Sequence, residues 1–388
     1  MDTDAAPVTR VSTFLRIALG LTALATFVAG LPLVTVSSRT AGWFAWTMDD
    51  QVTAALLGAG LLAAAVLALD ALRHERWVDA RIAVPALVVM TSLALAVTIV
   101  HLDLLHREAE HGLGARIAAW GWLGAMAVLP LLLVVAAALQ RRATDGDAGV
   151  EPLPSPLRAA LTVLAAVFLP AGAWLLLRTT EARDAWPWTF GEIDARVLGA
   201  LALMLGVVAL TGLLDRWLTR VAAAGSALAL AGALGLVAVI RFHADLEWSH
   251  VGTLALVVIL AVTALTGVLV RGFAVVMAEE QLEEVDETPI PETVEMQVPV
   301  GVGAAGPEAV TEPVSTRPPP APVAAAAPTS WPSSSRRGPR VSGSSRQVLR
   351  RGFLMSGMGR RGMGGPGGMA PLGRFTVPFA RLRRLLGR

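Results

Sequence analysis

The chain of 388 residues contains no cysteine, lysine, asparagine or tyrosine. Because cysteine is absent, the chain has no disulfide, no thiolate ligand for a metal and no cysteine nucleophile. Because lysine is absent, all 32 basic residues are arginine. Ala, Val, Leu, Gly and Pro dominate the remaining composition, and this bias is typical of a bacterial genome rich in G and C.

Charged residues are also scarce: they make up 16% of the chain, against 54% hydrophobic residues and a mean hydropathy of +0.61. Soluble domains carry about 25% charged residues, so this composition predicts an integral membrane protein. A bilayer core of about 30 Å is crossed by a helix of about 20 apolar residues. Eight segments without Asp, Glu, Arg or His meet this requirement: 17–35, 52–69, 82–100, 118–139, 159–177, 197–214, 221–240 and 251–270.

The distribution of arginine predicts the orientation of these spans. With a cytoplasmic N-terminus, the inner segments carry eleven Arg and the outer loops carry seven, as the positive-inside rule requires. We therefore expect a multi-pass protein of the plasma membrane with both termini in the cytoplasm. Eight Trp then fall near the outer interface, where amphipathic rings favour a lipid-facing belt: Trp43, Trp46, Trp120, Trp122, Trp174, Trp186, Trp188 and Trp248.

An internal repeat relates residues about 142 positions apart. Leu15 and Arg16 recur as Leu157 and Arg158, Trp46 and Thr47 as Trp188 and Thr189, and His101 and Asp103 as His243 and Asp245. Because four spans return the chain to its starting side, the two halves are expected to be parallel repeats about an axis along the membrane normal. The predicted fold is all-α: eight transmembrane helices in two parallel four-helix repeats, 1–142 and 143–278, followed by a long disordered tail.

Five of the six histidines lie in two corresponding outer loops, residues 101–111 and 241–250. If 243–250 is helical, three of its side chains share one face and suit zinc or another divalent ion. The candidate metal ligands are His101, Asp103, His243, Asp245, Glu247 and His250. The alternative is structural, with these side chains capping helix ends and pairing with Arg107 or Arg241. No metal signature is present, so no cofactor is predicted.

The sequence favours a non-enzymatic function. It contains no Walker motif, no dinucleotide-binding glycine pattern and no serine-hydrolase elbow. Asp70 lies near a span end three residues before Arg73, which indicates an ion pair rather than a proton-carrying acid. The leading hypothesis is a membrane protein with an assembly, scaffold or regulatory role. The alternatives are a transporter or channel with its pathway between the repeats, and a membrane metalloprotein that uses the outer histidines.

The C-terminal region divides by charge. Residues 279–335 form an acidic and then Pro/Ala-rich linker, in which RPPPAP can dock a protein partner, and residues 336–388 contain thirteen Arg and no acid. Such a tail binds phosphate, so nucleic acid is an alternative partner to anionic lipid at the inner leaflet. We expect 374–388 to form an amphipathic helix on lipid, through Phe379, Leu382, Leu386, Arg381, Arg383, Arg384 and Arg388.

The arginine distribution generates a topology prediction. Reporters fused after Arg142, Arg220 and Arg271 should read cytoplasmic, and reporters within 37–50, 104–114, 181–193 and 243–249 should read external. An external signal after Arg142 would contradict the eight-helix topology.

The charge of the tail generates a second prediction. A peptide of residues 336–388 should bind anionic but not neutral liposomes and gain helicity there, since each Arg contributes on the order of 1 kcal/mol at an anionic surface. Rising salt should release it, because screening weakens charge attraction. Equal binding to neutral vesicles, measured by co-sedimentation, or a strong preference for nucleic acid in direct competition, would refute this expectation.

Overall fold

The computed structural model describes residues 10–140, 152–215 and 217–287, and the long elements in these ranges are all α-helices. Eight of them are long and apolar enough to cross a membrane, and they match the eight predicted segments. The prediction of an all-α, multi-pass membrane protein is confirmed. The helices are α1 (Thr13–Thr35), α2 (Thr40–Trp43), α3 (Gln51–Arg73), α4 (Trp77–Ala80), α5 (Ala83–Val100), α6 (Leu113–Gln140), α7 (Ser155–Leu177), α8 (Thr179–Asp184), α9 (Glu192–Asp215), α10 (Leu218–Arg241) and α11 (Val251–Glu287).

We call residues 10–140 the first half of the helical bundle and residues 152–287 its second half.

The predicted lipid-binding residues between 374 and 388 lie outside the described residues. The last helix, α11, is 37 residues long, and its apolar span ends at Val276. The helix therefore continues through the acidic stretch 279–287 beyond the length needed to cross a bilayer.

Polar side chains at the ends of the apolar segments begin the first two long helices. The Ser12 hydroxyl accepts a hydrogen bond from the Leu15 amide at 3.2 Å and starts α1. The Asp50 carboxylate accepts one from the Thr53 amide at 2.7 Å and starts α3. Both contacts satisfy first-turn N–H groups that have no partner within the helix, a requirement that is severe near lipid.

Glycines allow close helix crossings in both halves, among them one between α10 and α11 at Gly232 and Gly267. Helices α1 and α3 cross at Gly30 and Gly58, where a Cβ added to Gly30 would lie 3.0 Å from the Gly58 carbonyl oxygen. Helices α7 and α9 cross at Gly172 and Gly199, where a Cβ added to Gly172 would lie 2.7 Å from the Gly199 carbonyl oxygen. Small residues are needed here because the backbones touch, and such contacts drive helix association in lipid.

The two halves share one core. In the first half α3 packs on α1, and in the second half α9 packs on α7. The next long helix of each half crosses over: α5 packs on α9, and α10 packs on α3. As a result α3 is central, with 89% of its most apolar window buried inside the bundle.

Ion pairs hold the end of the bundle where α3 and α9 finish, which we call the arginine end. Asp215, at the end of α9, is bound by Arg81 of the first half at 2.8 Å and by Arg220 of α10 at 3.1 Å. The Asp215 and Arg220 side chains are only 5% and 2% exposed, so removing the Asp215 charge would take a partner from a buried guanidinium. The predicted ion pair between Asp70 and Arg73 is also present, at 3.2 Å.

Candidate functional site at the histidine end

The loops at the opposite end, residues 36–50, 101–112, 178–191 and 242–250, carry five of the six histidines; we call it the histidine end. The helical face on which His243, Glu247 and His250 could together bind a metal does not form. Helix α10 ends at Arg241, and a 3₁₀ turn follows over His243–Asp245. The turn forms because the Asp245 amide donates to the Phe242 carbonyl, which closes the helix before a further α-helical turn is made.

His106 is a structural residue of the first-half loops. Its side chain is buried, its Nδ1 lies 2.9 Å from the Phe44 carbonyl oxygen, and its Nε2 lies 3.0 Å from the Thr47 hydroxyl. Since a carbonyl only accepts, Nδ1 carries the proton and Nε2 accepts from Thr47. Burial lowers the pKa of His106 below its usual value, which favours the same neutral form. Both ring nitrogens are thereby occupied.

His101 connects the halves. Its Nδ1 donates to the Val97 carbonyl at 3.0 Å, so its Nε2 is left to accept from the Arg196 guanidinium at 3.5 Å. Arg196, on α9, also donates to the Thr179 hydroxyl at 3.2 Å and forms an ion pair with Glu192. His101 therefore orients an arginine of the second half.

The remaining predicted ligands do not converge. The exposed His243 donates through Nδ1 to the Ile240 carbonyl at 3.2 Å, and His250 Nδ1 accepts from the Gly252 amide at 3.0 Å. Asp103, Asp245 and Glu247 are exposed on their loops. Within the ranges that the structure describes, no three His, Asp or Glu side chains are placed to hold a metal ion. His101 and His243 bind carbonyls at helix ends, as the structural alternative expects, but Arg107 and Arg241 donate to backbone carbonyls and do not pair with these side chains.

The most enclosed polar contact at this end joins Trp46 and Asp194. Asp194 lies in the first turn of α9 and is 2% exposed, and Trp46 precedes α3 and is 1% exposed. The Trp46 indole Nε1 donates to the Asp194 carboxylate at 2.7 Å, and the Gly191 amide donates to the other carboxylate oxygen at 3.1 Å. A buried carboxylate without hydrogen bonds is costly, so these two donors stabilise the junction of the halves.

A second indole makes the reverse connection. Trp188 of the second half donates to the Thr53 hydroxyl of α3 at 2.7 Å, and that hydroxyl donates to the Asp50 carboxylate at 2.9 Å. Burial raises the pKa of Asp50, and the nearby carboxylate of Asp245 raises it further, while the bonds from Thr53 oppose this shift. Each half therefore donates one indole N–H to the first turn of a central helix in the other half.

The predicted tryptophan belt is wrong for three of its members. Trp46, Trp122 and Trp188 are 1%, 5% and 7% exposed, and each indole N–H is bonded inside the protein. Trp46 packs edge to face on Trp122 with ring centroids 5.4 Å apart. Trp120, Trp174 and Trp248 remain exposed as a belt requires.

The two indole hydrogen bonds hold the halves together and have a structural role. The sequence contains a sign of these contacts, because Trp46 and Trp188 are 142 residues apart, as the predicted repeat requires, and each precedes a span. Asp194 lies just outside the apolar segment 197–214, and no sequence pattern predicts its role. Comparisons with protein families, with characterised proteins and with solved structures found no match for this chain.

The buried indole-to-carboxylate bond generates a stability prediction. Trp46→Phe keeps a smaller aromatic ring but removes the donor to Asp194, and it should lower the free energy of unfolding by about 1–3 kcal/mol because a buried acceptor loses a partner. The matched control is Trp122→Phe, whose acceptor, the Thr98 hydroxyl, keeps its own bond to the Ala94 carbonyl.

Unfolding would be followed by circular dichroism during SDS titration of protein in mixed micelles. Trp46→Phe with Asp194→Leu should recover part of the stability lost in Trp46→Phe, since it removes the buried carboxylate and leaves only the Gly191 amide without its acceptor. Equal free energies of unfolding for Trp46→Phe and Trp122→Phe would show that the bond to Asp194 contributes no more to stability than the bond to Thr98.

Proposed function

We propose that this protein is a non-enzymatic scaffold of the bacterial plasma membrane. In this proposal two parallel four-helix repeats interlock into one rigid bundle, with both termini in the cytoplasm. The bundle displays the histidine end outside and tethers the basic tail inside for assembly or regulation. The observation that carries the proposal is the exchange of helices and hydrogen bonds between the halves.

Equivalent contacts in the two halves support the repeat. The glycine crossing of α1 and α3 at Gly30 and Gly58 has its counterpart 142 and 141 residues later, at Gly172 and Gly199. Helices α1 and α7 are both 23 residues long and also begin 142 residues apart. The isolated bridges Arg10–Arg76 and Pro152–Trp217 are related by nearly the same offset.

The filled junction supports a scaffold over a transporter. Alternating access requires one repeat to move against the other around a site near the bilayer midplane. Here the contact between halves is made by α3, α5, α9 and α10, whose facing surfaces are apolar and closely packed. The Trp46–Asp194 hydrogen bond joins the halves at the histidine end, and the Arg81–Asp215 ion pair joins them at the arginine end. A rocking motion of one half against the other would break these two contacts.

The arginine-rich side of the bundle supports the orientation. The arginine end carries Arg16, Arg73, Arg81 and Arg220, in line with the positive-inside rule. Helix α11 leaves the bundle on this same side and leads to the chain's basic tail. We propose anionic lipid of the inner leaflet as the tail's main partner, and the Pro-rich linker as the site for a protein partner.

Distance measurements between spin labels test the scaffold against a transporter. The chain lacks cysteine, so pairs can be introduced without a background: Glu110→Cys with Arg183→Cys at the histidine end, and Glu75→Cys with Ser155→Cys at the arginine end. All four positions are exposed. We expect one narrow distance distribution for each pair, in detergent and in lipid bilayers, because the halves share one core.

A transporter would give a different result. Two populations whose distances change in opposite directions at the two ends would indicate alternating access and would overturn the scaffold proposal. A single pair that broadens without a reciprocal change at the other end would indicate only local loop motion.

A further inference from the structure

A groove of about 370 Å³ runs between α5 and α7, with α9 behind it. Eight of its nine lining residues are Leu, Ala or Val, and the ninth is Arg196. Val100 and Leu177, the last residues of α5 and α7, are 65% and 80% exposed, so the groove opens to the lipid-facing surface. Its volume lies within the range of about 300–1,000 Å³ found for ligand sites.

Charged groups are fixed at the mouth of this groove. The Arg196 guanidinium is held by the Thr179 hydroxyl and by His101, and its side chain is 25% exposed. Glu192, one helical turn away, pairs with Arg196 and is 49% exposed. A guanidinium and a carboxylate thus lie side by side at the end of the apolar groove nearest the histidine end.

At the corresponding place in the other part of the bundle, an arginine bridges the two helices. There, Arg241 at the end of α10 reaches α1 and donates to the Val34 carbonyl at 2.6 Å and to the Thr35 carbonyl at 3.1 Å. Val100 is the last residue of α5, as Arg241 is the last residue of α10, and it has no side-chain donor. The arginine that bridges α10 and α1 is therefore missing between α5 and α7.

We propose that this groove binds one phosphatidylethanolamine molecule of the surrounding bilayer. One acyl chain lies between α5 and α7, the phosphate accepts from Arg196, and the ammonium group donates to Glu192. A guanidinium binds phosphate oxygens through directed hydrogen bonds. The neighbouring carboxylate complements a head group that carries both charges and repels one that is only anionic.

The head group sets the selectivity of the site. Bulk lipid tails are as apolar as leucine, so burying a chain in the groove gives little advantage over the bilayer itself. Phosphatidylcholine has the same phosphate, but its quaternary ammonium donates no hydrogen bond to Glu192. Phosphatidylglycerol has the phosphate and lacks a cation altogether.

Native mass spectrometry of the full-length protein in detergent, titrated with each of these three lipids, tests the proposal. We expect one phosphatidylethanolamine per chain, bound at least about tenfold more tightly than phosphatidylcholine or phosphatidylglycerol, as charged hydrogen bonds allow. Glu192→Gln should remove this preference. Ala173→Phe should fill the groove and abolish stoichiometric binding, and the matched control Ala127→Phe, on the exposed face of α6, should retain it.

A second variant covers the case in which Ala173→Phe does not fold. Val100→Arg places a guanidinium where α10 has Arg241, on an exposed side chain, and should displace the lipid by bridging to α7. The proposal is overturned if wild-type protein binds the three lipids equally, if phosphatidylglycerol is preferred, or if Val100→Arg and Ala173→Phe bind as Ala127→Phe does.

Discussion

A carboxylate buried at the junction of the halves needs hydrogen-bond donors, because water does not reach it. Asp194 is 2% exposed, and its donors are the Gly191 amide and the Trp46 indole from the other half. This requirement fixes the loop before α3 against the first turn of α9. The reverse bond from Trp188 to Thr53 fixes the loop before α9 against α3. With both bonds in place, neither central helix can shift without exposing a polar group to an apolar interior.

The other contacts of the junction extend this constraint along the bundle. The glycine crossings hold α1 to α3 and α7 to α9, and the exchanged packing of α5 and α10 joins these pairs. The arginine end is closed by Asp215, which binds an arginine from each half. An interlocked arrangement of this kind suits a rigid support for outer loops and a cytoplasmic tail, the function we propose.

The eight helices could be predicted because each is an apolar run of sufficient length, and a helix is the structure in which such a run satisfies its own backbone in lipid. The burial of Trp46, Trp122 and Trp188 could not be predicted from the sequence. Hydropathy places a tryptophan near the membrane interface but does not show whether lipid or protein surrounds it. Helical spacing would bring His243, Glu247 and His250 together only if α10 continued past Arg241, and a 3₁₀ turn follows there instead. His106 binds Phe44, 62 residues away along the chain, and Asp194 binds Trp46, 148 residues away. Local spacing in the sequence does not indicate such contacts.

The most direct test of interlocking is to express the chain as two pieces, residues 1–145 and 146–388, separately and together. Because each half supplies donors and packing surface to the other, the pieces should accumulate only when co-expressed and should purify as a one-to-one complex. Trp46→Phe combined with Trp188→Phe should weaken that complex. Accumulation of either piece alone as a stable, helical monomer would contradict the interdependence of the two halves.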